Sequence, residues 1–310
     1  MKIALYDPNL YKFTQAMQDH WEAQGHEFRK TLYYDPAIAN WADTLWFDTC
    51  DNNMKQATMN NDPGWKLMDM PEKKHVICRV IDIEAWCGLY RDVDWYQVDD
   101  VIFIAPHIRR LVENDVNFVA NNVRVHDIPC GVDTDKFTYK QSFKDPTDIA
   151  WVAERWDAKG ITLALQLIAS LPEKYTLHAC GIWVLPNWYK AYVDHFIKEN
   201  NLEHRFLVTE RVEDMNAFLE DMDYTLCASK KEAFSYAIAE GMSKGLKPLI
   251  HNFYGAPELW DRKYIWNTID QARDLVLGEY NPEEYRKYIL DNYTLTKMLN
   301  SFDKIIERKV

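Results

Sequence analysis

The chain alternates short apolar runs with longer amphipathic ones, beginning at its second residue. Residues 2–6 form a short stretch of buried-strand type, apolar after Lys2. Residues 11–24 place Phe13, Met17 and Trp21 at helical spacing and stop at Gly25, after which Gly25-His26-Glu27-Phe28 opens a second strand. Strand, helix, strand is the opening unit of a doubly wound α/β sheet. Further strands are predicted over 41–50, 75–81, 98–105 and 123–128, the last three as buried strands. A Met-rich polar stretch at 53–73 reads as loop and helix.

Residues 139–147 are polar, contain Pro146 and lack periodicity, which predicts a linker. Strand-type runs then resume at 148–152, 175–180, 205–208, 224–228 and 264–266. Helical runs lie between and after them at 161–170, 187–200, 214–220, 236–243, 272–277 and 282–293. One pattern repeated twice predicts an α/β protein with two Rossmann-like doubly wound domains, at 1–140 and 146–285. A C-terminal segment, 286–310, follows, with an amphipathic helix over 295–308.

Composition narrows the function classes. With 310 residues, 47% hydrophobic and 27% charged, the chain has the make-up of an ordinary globular protein. No apolar run approaches the roughly 18 residues that span a bilayer, and the N-terminus turns polar too early for a secretory signal. The six cysteines are scattered without a Cys-x-x-Cys pair, which argues against a zinc site and fits reduced thiols in a cytoplasm. A net charge of −12 gives no support to bulk nucleic-acid binding. Most of the twelve tryptophans are expected in the core, with a few available as platforms for sugar or base rings.

The densest chemistry lies between Ser229 and Glu258. Glu232 and Glu240 stand eight positions apart around Phe234, Ser235 and Tyr236, and are followed by Gly241-Met242, a short apolar strand with Pro248, and Gly255-Ala256-Pro257-Glu258. Ser235 is a candidate N-cap for a helix over 236–243. Glu232 would then stand just outside a helix N-terminus, and the free amides there suit a phosphate. Two acids at this spacing are common, and a surface turn with two solvated carboxylates is the competing reading. The flanking residues carry the specificity.

This stretch resembles the E-x7-E signature of retaining glycosyltransferases with the GT-B fold, in particular family 4. Two further segments are similar to that family. Ile128-Pro-Cys-Gly131-Val132-Asp133, followed by Phe137, looks like the segment closing its N-terminal domain. Arg155 and Lys159-Gly160 look like the Gly-Arg…Lys-Gly motif opening its second domain, with Glu154 in place of the glycine and one residue fewer before the lysine. The loop Asp7-Pro8-Asn9 departs from the family's glycine-rich first loop.

The resemblance implies two domains with a cleft between them, the donor held by the C-terminal one and the last helix crossing back to the first. It implies that Glu240 binds the ribose, Glu232 the transferred sugar, and Arg155 and Lys159 the diphosphate. Ser229, Phe234, Ser235, Tyr236, Val212, Gly255 and Ala256 would complete the donor site. A nucleoside-diphosphate sugar is then the substrate, and neither metal nor cofactor is required.

The acceptor is an unidentified hydroxyl compound: a glycan, a small molecule or a modified nucleobase. Arg79, Asp82, Glu84 and His107, at predicted strand ends of the first half, are its candidate contacts. Arg79 with Asp82 or Glu84 reads equally well as a structural ion pair, and His107 as a turn cap. The competing functions are a non-catalytic sugar-nucleotide or glycan-binding protein and a dinucleotide oxidoreductase, the latter lacking Gly-x-Gly-x-x-Gly in either half. Oligomeric state is not encoded in any motif found.

Overall fold

In the computed structural model, residues 1–8, 14–184 and 186–308 are described. The chain divides into two compact units, Met1–Cys130 with Thr296–Val310, and Gly131–Leu295.

The first unit holds β1 (Lys2–Tyr6), α1 (Gln15–Ala23), β2 (Glu27–Thr31), α2 (Pro36–Trp41), β3 (Thr44–Phe47), α3 (Asn52–Met59), β4 (His75–Val80), α4 (Ile83–Trp86), β5 (Asp100–Phe103), α5 (Pro106–Glu113) and β6 (Arg124–Asp127). The strands form one parallel sheet in the order β2-β1-β3-β4-β5-β6. β1, β3, β4 and β5 are buried along almost their whole length, and apolar residues dominate them, with Lys2, Thr44, His75, Arg79 and Asp100 as the polar members. The expectation of a third buried strand at 123–128 is corrected: β6 is the sheet edge, and its side chains are half-buried or exposed. Residues 11–13 of the first predicted helix, and Asn9 of the preceding loop, lie outside the described residues.

The second unit follows with β7 (Asp148–Val152), α6 (Ile161–Ser170), β8 (Thr176–Cys180), α7 (Asn187–Glu199), β9 (Phe206–Thr209), α8 (Met215–Glu220), β10 (Tyr224–Cys227), α9 (Tyr236–Ser243), β11 (Lys247–His251), α10 (Ala256–Leu259), β12 (Ile265–Trp266), α11 (Ile269–Leu277) and α12 (Pro282–Asn292). Its parallel sheet runs β12-β11-β10-β7-β8-β9. α6 packs its apolar residues Ile161, Ala164, Leu165 and Ile168 into a core with Trp151, Leu177 and Leu226. Segment 139–147 is drawn onto this unit, where Lys140 Nζ donates to the Met222 carbonyl at 2.6 Å and the rings of Phe143 and Tyr280 lie 6.2 Å apart.

The last helix, α13 (Leu295–Ile306), belongs from Thr296 onward to the first unit. There Phe302 packs edge-on to Trp46, and Asp303 accepts from Trp21 Nε1 at 2.9 Å and pairs with His20.

Candidate functional site

The strand order of the second unit creates a place for a ligand. From β7 the chain moves outward through β8 and β9, then returns to lay β10 on the other side of β7. The loops after β7 and β10 therefore diverge, and in open α/β sheets the crevice beyond such carboxyl ends receives the ligand. Of the predicted donor-side residues, Arg155, Lys159, Ser229, Glu232, Phe234 and Ser235 sit on these two loops.

The loops are fastened to each other at several points. Lys159 Nζ donates to Glu232 Oε1 at 2.5 Å, and Ser229 Oγ donates to the same oxygen at 2.9 Å. The Lys230 amide donates to the Ala158 carbonyl at 2.8 Å, and Lys230 Nζ reaches Asp157 Oδ2 at 2.8 Å. Tyr189, from α7, donates its hydroxyl to Asp157 Oδ1 at 2.9 Å. Hydrogen bonds from Lys230 and then Tyr189 hold the Asp157 carboxyl below its usual range. Gly160, at φ +74°, lies so close to the neighbouring loop that a Cβ there would meet the Ala228 carbonyl oxygen at 1.9 Å.

Beyond Glu232 the chain turns into α9. Ser235 takes the N-cap position with extended backbone but makes no side-chain cap hydrogen bond, in contrast to the capping expected of it. Glu240 is half-buried one helical turn past Tyr236. Gly241 lets α9 lie directly on β10, since a Cβ would stand 2.6 Å from Thr225. Phe234 is buried between Trp260 and Tyr293, at ring distances of 5.5 and 5.2 Å, and meets Tyr236 edge-on at 5.4 Å. Gly255, at φ +94°, turns the chain into α10, whose first residue, Ala256, is fully buried. Val212 lies half-buried in the loop after β9.

Arg155, expected at the diphosphate, stands on the loop after β7. Only 1% exposed, it donates through Nη1 to the carbonyls of Ala179 and Thr209 at 3.0 and 3.2 Å and stacks on Trp183. Burial lowers its pKa. As placed, it ties together the loops after β7, β8 and β9, while Lys159 is the cation beside Glu232.

Two contributors escaped the sequence reading. Asp157 is one. His251 is the other: it ends β11, and its Nδ1 lies 2.9 Å from the Ser229 carbonyl while its ring packs on Trp266 at 4.8 Å. A polar residue at the carboxyl end of a buried strand was the available signal.

In the first unit the acceptor candidates lie in or just after β4 and β5. Arg79 is 2% exposed and pairs with Asp48 at 2.8 Å, so the anticipated pairing with Asp82 or Glu84 is corrected. Burial raises the Asp48 pKa against the lowering effect of Arg79. Glu84 is buried and turned back on its own loop, accepting from the amides of Ile81 at 2.6 Å and Asp82 at 3.2 Å. Asp82 stands at the start of α4, and His107 is fully buried in the first turn of α5.

A cavity of about 280 Å³, lined by Leu67, Met70, Val76 and Tyr96 among others, opens at the amino ends of β4 and β5. That is the end of the sheet opposite these candidates. Among the described residues, no group of three or more His, Cys, Asp or Glu is arranged to hold a metal. No described helix is long and apolar enough to cross a membrane.

Comparison with known proteins decides the family. The model of glycosyl transferases group 1 matches residues 133–308, more than half of the chain. The protein belongs to this family. Solved structures agree on the fold. A glycosyltransferase from Rickettsia africae is 12% identical with a TM-score of 0.70, and Anabaena HepE in complex with UDP is 12% identical at 0.72. The lipopolysaccharide outer core galactosyltransferase WaaB, in its apo form, is 10% identical at 0.71, and all three alignments cover 99% of both chains. No curated protein sequence matches. The fold of this glycosyltransferase is GT-B, and its substrates are a sugar donor and an acceptor.

Proposed function

We propose that this glycosyltransferase transfers a hexose from a nucleoside-diphosphate sugar, UDP- or GDP-linked, to a hydroxyl acceptor with retention of anomeric configuration. The observation that carries the reading is the meeting of Lys159, Ser229 and Glu232 at the switch point between β7 and β10. The donor diphosphate would lie along the N-terminus of α9, whose first-turn amides and dipole favour negative charge. Lys159 adds a point charge there, and together they act in place of a metal ion. Glu240 would accept from the ribose hydroxyls, and Glu232 from hydroxyls of the transferred sugar. The structure of HepE with UDP supports a nucleoside diphosphate as the product, by likeness of fold.

In the reaction, the bond between the anomeric carbon and the terminal phosphate oxygen breaks, and a bond to the acceptor oxygen forms on the same face. The acceptor proton passes to the departing phosphate oxygen, leaving a nucleoside diphosphate. Charge develops on that diphosphate in the transition state, where the amides and Lys159 are already oriented.

The reading is tested with a panel of UDP- and GDP-sugars, using thermal shift for binding and nucleoside-diphosphate release for turnover. One donor should raise the unfolding temperature and be consumed. Glu232→Ala and Lys159→Met should each lower turnover by about 10²–10³-fold, the range seen when one transition-state contact is removed. Binding without release would favour a non-catalytic sugar-nucleotide protein. Full turnover in Glu232→Ala would reject the assignment.

A further inference from the structure

His251 lies outside the motifs that identify the donor half, yet it touches the donor loop. It ends β11, the strand beside β10, and pairs across the sheet with Trp266 of β12. Its ring rests against that indole at 4.8 Å, which limits the directions it can take. Nδ1 is 2.9 Å from the Ser229 carbonyl, so the proton sits on Nδ1 and the imidazole donates.

Ser229 is 3% exposed, and a buried carbonyl is costly to leave without a donor. The hydroxyl of the same residue donates to Glu232 Oε1, the oxygen that also receives Lys159. A chain of contacts thus runs from the end of β11 through the carbonyl and the hydroxyl of Ser229 to the carboxylate. If the Ser229 peptide turned and carried its hydroxyl away from Glu232, the carboxylate would lose that donor.

We propose that His251 is a positioning residue for sugar transfer, fixing the Ser229 peptide and through it the direction of the Glu232 carboxylate. This rests on the role of Glu232 given above. The effect is on geometry: the nucleotide contacts at α9 and Glu240 stay in place. Removing His251 should therefore lower kcat with little change in the KM for the donor. Misplacement of a reacting group by about 1 Å can cost on the order of 100-fold, so His251→Ala is expected to lose about 10- to 100-fold in kcat.

Asparagine and glutamine decide the point. The amide nitrogen of asparagine falls near the position of Nδ1 and can donate to Ser229, whereas that of glutamine falls near Nε2. His251→Asn should retain kcat to within about threefold, and His251→Gln should resemble His251→Ala. Unfolding temperature is followed for each variant. If His251→Ala does not fold, the Asn and Gln pair carries the test.

Wild-type release of nucleoside diphosphate is measured first, so that its absence counts against the proposed function and not against His251. With wild type active, equal kcat in the Asn and Gln variants overturns the inference. A rise in donor KM without loss of kcat overturns it as well.

Discussion

Gly160→Ala is the sharpest perturbation this structure offers, because backbone meets backbone. An alanine at φ +74° carries the left-handed penalty of about 1–2 kcal/mol. Its Cβ would also stand 1.9 Å from the Ala228 carbonyl oxygen, where real Cβ atoms essentially never come closer than 3.0 Å. The loops after β7 and β10 must therefore separate by roughly 1 Å, stretching the Lys230 amide bond to Ala158 and the Lys159 pair with Glu232. Strain and weakened contacts together should cost roughly 3–5 kcal/mol. At about 2–4 °C per kcal/mol for a unit of this size, the thermal midpoint should fall by roughly 6–20 °C.

Turnover should fall by about 100-fold, since the displaced groups are those that align the donor. Gly64→Ala is the control. Gly64 has φ +78° with nothing within 4 Å, so alanine there brings strain without a clash. Calorimetry and nucleoside-diphosphate release are measured on both variants. The reasoning is refuted if Gly160→Ala matches Gly64→Ala in midpoint and in turnover.

Two further tests concern buried cations of the second unit. Arg205 donates to the carbonyls of Tyr175, Ile168, Leu171 and Pro172, so Arg205→Met leaves four acceptors without that donor. It should cost on the order of 2–4 kcal/mol, read as a lower urea midpoint at unchanged slope. Burial pushes the pKa of Lys247 down to about 8, though its ammonium donates to the Leu275 and Glu279 carbonyls. The unfolded chain then holds this proton longer than the native one, and stability rises from about pH 8 toward pH 10, by at most about 3 kcal/mol from this group. Buried phenols oppose further gain: Tyr285 is raised to about 12, so above pH 10 the unfolded state loses protons that the native state keeps. Buried thiols such as Cys227, raised to about 11, also oppose the gain from about pH 9, so the test is relative: between pH 7 and 10 the urea midpoint of the wild type should rise relative to that of Lys247→Met.

Much of this molecule is written locally. The short, mainly apolar runs at Lys2–Tyr6, His75–Val80 and Asp148–Val152 fit buried parallel strands, because strands covered on both faces carry no regular polar alternation. The stretch from Ser229 to Glu258 likewise announced a turn, a helix start and a second turn through Ser235, Gly255 and Pro257. These are properties of short segments, and short segments determine them.

Strand order is not such a property. Only the assembled sheet puts β7 beside β10, and only that adjacency brings Lys159 within 2.5 Å of Glu232. The same assembly made edges of β6 and β9, leaving apolar Leu207 and Val208 exposed. It turned Arg155 inward to main-chain carbonyls, paired Arg79 with Asp48 across 31 positions of sequence, and set His251 beneath Ser229. Sequence alone determined which residues carry charge and where the chain turns. The direction in which each charged group points depended on neighbours supplied by distant segments, and those were decided by the tertiary structure.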